Sequence, residues 1–148
     1  MPHTYVSALI HAVFSTKNRR KTIPEDVQPL LWAYLGGIAR KNGFRALAIG
    51  GTEDHVHVLL SLPSTMPIAK ALQLLKGGSS KWLNEGRIND FTWQDGYGAF
   101  SVGISQQGDT KAYIESQKQH HQKCDYQQEF LAFLMKHGIE YDPKYVFG

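Results

Sequence analysis

A chain of 148 residues, 42% of them hydrophobic, suits one domain with a sizeable core, and residues 1–148 are read as a single domain. No apolar run reaches membrane-span length, and YVSALIHAVF lacks the positive lead and cleavage site of a secretion signal, so a cytoplasmic protein without membrane attachment is expected. The single cysteine, Cys124, excludes an internal disulfide and a cysteine-built zinc site, while a net charge of +3 hints at an anionic partner.

In chain order, Val6, Ala8, Ile10, Ala12 and Phe14 alternate with Tyr5, Ser7, Leu9, His11 and Val13, which predicts a first strand with one well-buried face. The basic run STKNRRK follows, with Lys17, Arg19, Arg20 and Lys21; it reads equally as a solvated loop or a phosphate-binding one. Residues 24–42 open with Pro24 and two acids, then carry Leu30, Leu31, Tyr34, Leu35 and Ile38 at helical spacing, with Gly43 as a stop. FRALAI and DHVHVLLSL, either side of a glycine turn, read as two strands.

Pro67 starts a second helix, in which Gly77 and Gly78 mark either a break or a close approach. YGAFSVGI is a fourth strand, and Asp109 is expected to cap a helix from Thr110 to about His121. A last amphipathic helix carries Phe130, Leu131, Phe133 and Leu134 and stops at Gly138. The fold class expected is α+β: a ferredoxin-like split β-α-β-β-α-β antiparallel sheet with two additional C-terminal helices. Helices cover one sheet face and the other is left for a ligand or partner.

In TEDHVHVLL, alternation puts Val56, Val58, Leu60 and Leu62 on the helix-covered face and His55, His57, Leu59 and Ser61 on the other. Two neutral imidazoles side by side begin a divalent-metal site; two strand histidines satisfied by hydrogen bonds fit the same pattern. Further on, Tyr113 and Gln117 stand four apart and share a helix face. A glutamine carbonyl with two imidazoles would suit Mg²⁺ or Mn²⁺ and leave room for water and phosphate oxygen, with Tyr113 one turn away as a nucleophile. A tyrosine on an amphipathic helix is also ordinary core packing.

The conjunction of His-hydrophobic-His on the third strand and Tyr-x-x-x-Gln after the fourth resembles the single-tyrosine HUH transposases of small hairpin-ended bacterial insertion sequences. HAVFSTKNRRKTI, GGTEDHVHVLLSLP, SSKWLNE, WQDGYGAFSVGISQ, YIESQKQHH and HGIEYDPKY extend the likeness from about residue 4 to 147.

The resemblance implies that His55, His57 and Gln117 hold one Mg²⁺ or Mn²⁺ ion and that Tyr113 attacks the scissile phosphate of single-stranded DNA. The products would be a 5′-phosphotyrosine and a free 3′-hydroxyl, reversible without a nucleotide cofactor. It further implies a homodimer, recognition of end hairpins, and a tyrosine helix hinged at ISQQGDT, residues 104–110, where Gly108 lets the chain turn.

Lys17, Arg19, Arg20, Lys21, Arg45 and Lys81 are candidates for DNA-backbone contact. Trp82, Trp93 and Tyr97 could stack on bases, although core packing suits at least two of them. His120 and His121 read as a solvated helix end or as phosphate contacts, and Glu53 or Asp54 as an acceptor that orients an imidazole. The rivals are a domesticated relative with the same chemistry and a non-catalytic hairpin-binding module, which would need neither Tyr113 nor Gln117.

Overall fold

The computed structural model describes residues 3–121 and 124–147. Its order is β1 (Leu9–Ser15), α1 (Gln28–Lys41), β2 (Arg45–Gly51), β3 (His55–Ser61), α2 (Ile68–Asn84), β4 (Gly98–Val102), α3 (Gln107–Glu115), α4 (Gln117–His120) and α5 (Tyr126–Lys136). The four strands form one antiparallel sheet in the order β2-β3-β1-β4, the ferredoxin-like arrangement expected from the pattern of elements. β1 starts at Leu9; Tyr5 and Val6 lie before it and are exposed.

One face carries the main core. Ala12 and Phe14 of β1 and Val56, Val58 and Leu60 of β3 pack under Leu31 and Leu35 of α1 and Leu72 and Leu75 of α2. Helix α2 runs unbroken through Gly77 and Gly78. Gly78 is there for close approach: a Cβ at that position would lie 2.9 Å from Cδ1 of Ile38 on α1.

The second face is not open, contrary to expectation. Ile114 of α3 packs on Leu9, Ala48 and Leu59, while Tyr126, Phe130 and Leu134 of α5 pack on Val13 and Phe100. The reason lies in β1, which presents apolar side chains on both faces, Leu9 and Val13 on this one, and both need covering. The approach of α3 is close enough that a Cβ at Gly50 of β2 would fall 2.0 Å from the carbonyl oxygen of Ile114.

The segment from 104 to 110 is not a loop. Ile104–Gln106 form a 3-10 turn that runs straight into α3, whose N-cap is Gln106. Asp109 is therefore inside the first helical turn, where its charge favours the helix dipole, and does not cap. The break comes instead at Ser116, which divides the expected single helix into α3 and α4.

Candidate functional site

The hairpin between β2 and β3 prepares the first histidine. Thr52 N–H donates to the His55 carbonyl at 3.1 Å and closes the turn. Asp54 then offers Oδ1 to His55 Nδ1 at 2.8 Å and also accepts from the Thr52 hydroxyl at 2.9 Å. With its proton held on Nδ1, His55 turns the Nε2 lone pair inward. Asp54 thus takes the orienting position expected of Glu53 or Asp54, whereas Glu53 lies 3.9 Å from Lys21. Burial would raise the Asp54 carboxyl, but the bond from His55 outweighs it and holds it below its ordinary range.

Gln117 meets that lone pair with its carbonyl oxygen, 3.1 Å from His55 Nε2. Its amide orientation follows from the other end, where Nε2 donates to the Tyr113 carbonyl at 3.3 Å across the break between α3 and α4. Two acceptors therefore face each other in a site where His55 is 0% and Gln117 1% exposed. An arrangement of that kind is satisfied by a cation.

His57 points into the same space and donates from Nε2 to Glu129 Oε1 at 2.7 Å. Burial lowers His57 to about 4, partly opposed by Glu129, so the pair is a neutral imidazole on a charged carboxylate. Glu129 is the centre of the cluster. It is 3% exposed, and Oε1 also lies 3.2 Å from His121 Nε2 and 3.6 Å from His55 Nε2. Oε2 accepts from the Tyr113 hydroxyl and stands 3.3 Å from His120 Nε2. Burial alone would raise this carboxyl; hydrogen bonds from His121, His57 and Tyr113 more than reverse that and hold it far below the usual range. The Tyr113 phenol is pushed well up, first by burial and then by its bond to Glu129.

Ligating atoms of His55, His57, His121 and Glu129 all fall within 4.8 Å of one another. Imidazole nitrogens, a carboxylate and an amide oxygen, converging in one buried space, are a donor set that can hold a metal ion. A cleft of about 400 Å³ lined by Thr52, Asp54, His121 and Tyr126 reaches the cluster from one side.

The structure thus brings His55, His57, Tyr113 and Gln117 together. It adds three residues that the sequence reading left out or turned outward: Glu129, His121 and His11. Glu129 was legible as a lone acid on the apolar stripe of α5, three residues after Tyr126 and four before Phe133. His120 and His121 turn toward Glu129 and are not a solvated helix end. His11 alternates with Leu9 and Val13, and its Nε2 lies 2.7 Å from His57 Nδ1.

Of the basic candidates, Lys21 lines the cleft that reaches His121, whereas Arg45 lies in another cleft and Lys81 on α2. Lys17, Arg19, Arg20 and Lys21 are exposed together after β1, where Asn18 and Arg19 both adopt left-handed backbone, at φ 57° and 54°. Arg45 lines a separate cleft of about 380 Å³ with Arg40 and Lys111, and Lys81 is exposed on α2. Trp93 is core, packed edge-on against Phe14 and Phe91. Trp82 is half-buried, stacked on Tyr34 and with Arg87 over its ring, and Tyr97 is partly exposed.

A family model described as "Transposase IS200 like" matches residues 4–117. The match ends at Gln117, so His121 and Glu129 lie beyond it. The chain is 28% identical over 114 residues to the ISDra2 transposase TnpA of Deinococcus radiodurans, covering 72% of this chain and 81% of that protein. It is 29% identical over 85 residues to the transposase of insertion sequence IS200 from Salmonella typhimurium, covering 57% of this chain and 56% of that one.

Among solved structures, a crystal structure of a Deinococcus radiodurans R1 chain described as a transposase aligns with TM-score 0.60 at 26% identity, over 79% of this chain and 96% of that chain. A REP-associated tyrosine transposase bound to a REP hairpin shares the fold, with TM-score 0.57 at 15% identity over 77% of this chain and 68% of the other.

Proposed function

The chain belongs to the family of IS200-like transposases, and from that premise we propose that it cleaves and rejoins single-stranded DNA through Tyr113 with a divalent cation at the histidine cluster. One observation carries the reading. His55 Nε2 and Gln117 Oε1 face each other as acceptors, while the Tyr113 hydroxyl and His57 Nε2 share the carboxylate beside them.

His55, His57 and Gln117 would hold the ion, joined by Glu129, whose Oε1 points at both imidazoles. When bound, Mg²⁺ or Mn²⁺ supplies Lewis acidity that polarises the scissile phosphate. Asp54 keeps the His55 proton on Nδ1 so that Nε2 stays available. Tyr113 attacks phosphorus; the new bond joins its phenolic oxygen to the 5′ side, and the bond to the 3′ oxygen breaks, leaving a 3′-hydroxyl. Because the covalent phosphodiester retains the energy of the bond it replaced, a second 3′-hydroxyl can reverse the step without a nucleotide cofactor.

In the arrangement described, the phenol keeps its proton and spends its hydrogen bond on Glu129. Cleavage therefore requires Tyr113 to leave that carboxylate and DNA to reach a covered face. The break at Ser116 lets α3 shift relative to α4. The likeness to a hairpin-bound transposase fold supports an end hairpin as the recognised element. Lys17, Arg19, Arg20 and Lys21, and the Arg40–Arg45–Lys111 cleft, are the backbone contacts proposed for it, and Lys81 a third. Arg19 of the first group and its neighbour Asn18 are left-handed, strained backbone of the kind that collects at binding loops. A homodimer is proposed with it, and the mass of the free protein in solution checks it.

The deciding experiment uses labelled single-stranded DNA from both flanks of the gene, with and without Mg²⁺ or Mn²⁺. A denaturant-resistant adduct that needs the metal and disappears in Tyr113→Phe is the expected result. Hairpin binding with no adduct in any metal would leave a binding module instead.

A further inference from the structure

The two strand histidines have different supports. His55 is oriented by a carboxylate, Asp54, at its Nδ1. The same atom of His57 faces no carboxylate; it faces another imidazole, His11 Nε2, at 2.7 Å. His11 stands on the neighbouring strand β1 and is 3% exposed. Its ring is fixed by an edge-on contact with Phe133, centroids 5.0 Å apart at 90°, and by Phe100 at 6.3 Å. A histidine gripped in this way is set in orientation.

Proton counting gives that contact a direction. A neutral imidazole has one ring proton. In the metal-free arrangement His57 places it on Nε2, donated to Glu129, so Nδ1 must accept and His11 must donate from its Nε2. A cation at the cluster needs the Nε2 lone pair of His57. The proton must then sit on Nδ1, and the group within reach to accept it is His11 Nε2, which carries its own proton on Nδ1 instead. Each ring shifts one proton from Nε2 to Nδ1, and the pair keeps the same total. His11 also lines a cleft of about 390 Å³ with Tyr113, Asp109 and Lys136.

We propose that His11 is a positioning residue for His57: it holds the ring and accepts the hydrogen bond from its Nδ1–H, so that Nε2 can serve a divalent cation. This rests on the metal-site reading above. Outer partners of metal-binding histidines typically change affinity 10- to 100-fold when removed.

The test measures Mn²⁺ affinity by electron paramagnetic resonance on the full chain, with thermal melts of the metal-free proteins as a folding control. His11→Phe fills the same space without an acceptor and is expected to bind Mn²⁺ at least about 10-fold more weakly. His11→Gln restores an acceptor and should recover most of that loss. A merely space-filling histidine would show the opposite order, with Phe harmless. Because both variants could disturb folding, long-range ¹H–¹⁵N spectra of the wild type give a second readout. On adding diamagnetic Zn²⁺, the His57 proton should move from Nε2 to Nδ1, and that of His11 likewise.

Wild-type affinity in His11→Phe, or a metal-loaded His57 that keeps its proton on Nε2, would overturn the role of His11 alone. A wild type that binds no Mn²⁺ or Zn²⁺ would overturn the metal-site reading and this inference with it.

Discussion

Tyr113 donates its phenolic hydrogen to Oε2 of Glu129, sixteen residues later in the chain, and that bond ties α3 to α5 over the histidine face of the sheet. The other oxygen of the same carboxylate serves His57 and His121. One buried acid thus closes the site and occupies the Tyr113 hydroxyl. Glu129→Ala strips the acceptor from His57, His121 and Tyr113 at once. The metal-free protein should lose about 2–3 kcal/mol in urea unfolding, because buried donors are left unpaired. Mn²⁺ binding should weaken in the same variant. Unchanged unfolding would mean that water replaces the carboxylate and that the face is more open than described.

Gly50 sets the height of α3, the helix that carries Tyr113, above the sheet. A Cβ at this buried position would meet the backbone oxygen of Ile114, next to Tyr113, at 2.0 Å, so no side-chain rotation relieves the clash. Gly50→Ala should lift α3, lower stability by about 1–3 kcal/mol, and slow adduct formation even at temperatures where the variant is fully folded. Circular dichroism fixes that temperature and adduct yield against time gives the rate. A variant of reduced stability but full rate would separate α3 height from catalysis.

How far the sequence reaches is clearest on β3. Period-two alternation puts Val56, Val58 and Leu60 on one face and His55 and His57 on the other, and the packing agrees. The reading of an open histidine face failed because amphipathic helices announce that they pack, not where. Only the tertiary arrangement puts Ile114 on Leu59 and Phe130 beside Phe100. The same limit applies to Glu129: its place on the apolar stripe of α5 marks it as unusual, but only docking of α5 shows which groups it meets. The break at Ser116 has no local marker either; Gly108, the residue that looked like a hinge, lies inside α3.

Among the described residues, none that lines the Arg40–Arg45–Lys111 cleft is acidic. If it holds the backbone of a single strand, each phosphate contact contributes about 0.7 to the slope of log affinity against log salt. Replacing all three by glutamine should therefore flatten the slope by about 2, and should weaken different sequences alike. Filter binding from low to moderate salt measures it. A slope unchanged within error assigns those contacts elsewhere, with Lys17, Arg19, Arg20 and Lys21 as the next group to replace.

The paired glycines of α2 separate helix propensity from packing. Gly77 is exposed and a Cβ there meets nothing within 4 Å, so Gly77→Ala should raise stability by about 0.5–1 kcal/mol. Gly78 carries the same intrinsic penalty, but its Cβ would press on Cδ1 of Ile38 at 2.9 Å. That atom ends a side chain that can turn, so Gly78→Ala should gain less than Gly77→Ala. Gly78→Leu has no such escape between α1 and α2 and should cost about 1–3 kcal/mol. Urea unfolding of the three variants gives the order directly. Equal gains at Gly77 and Gly78 would mean that α1 and α2 lie farther apart than described.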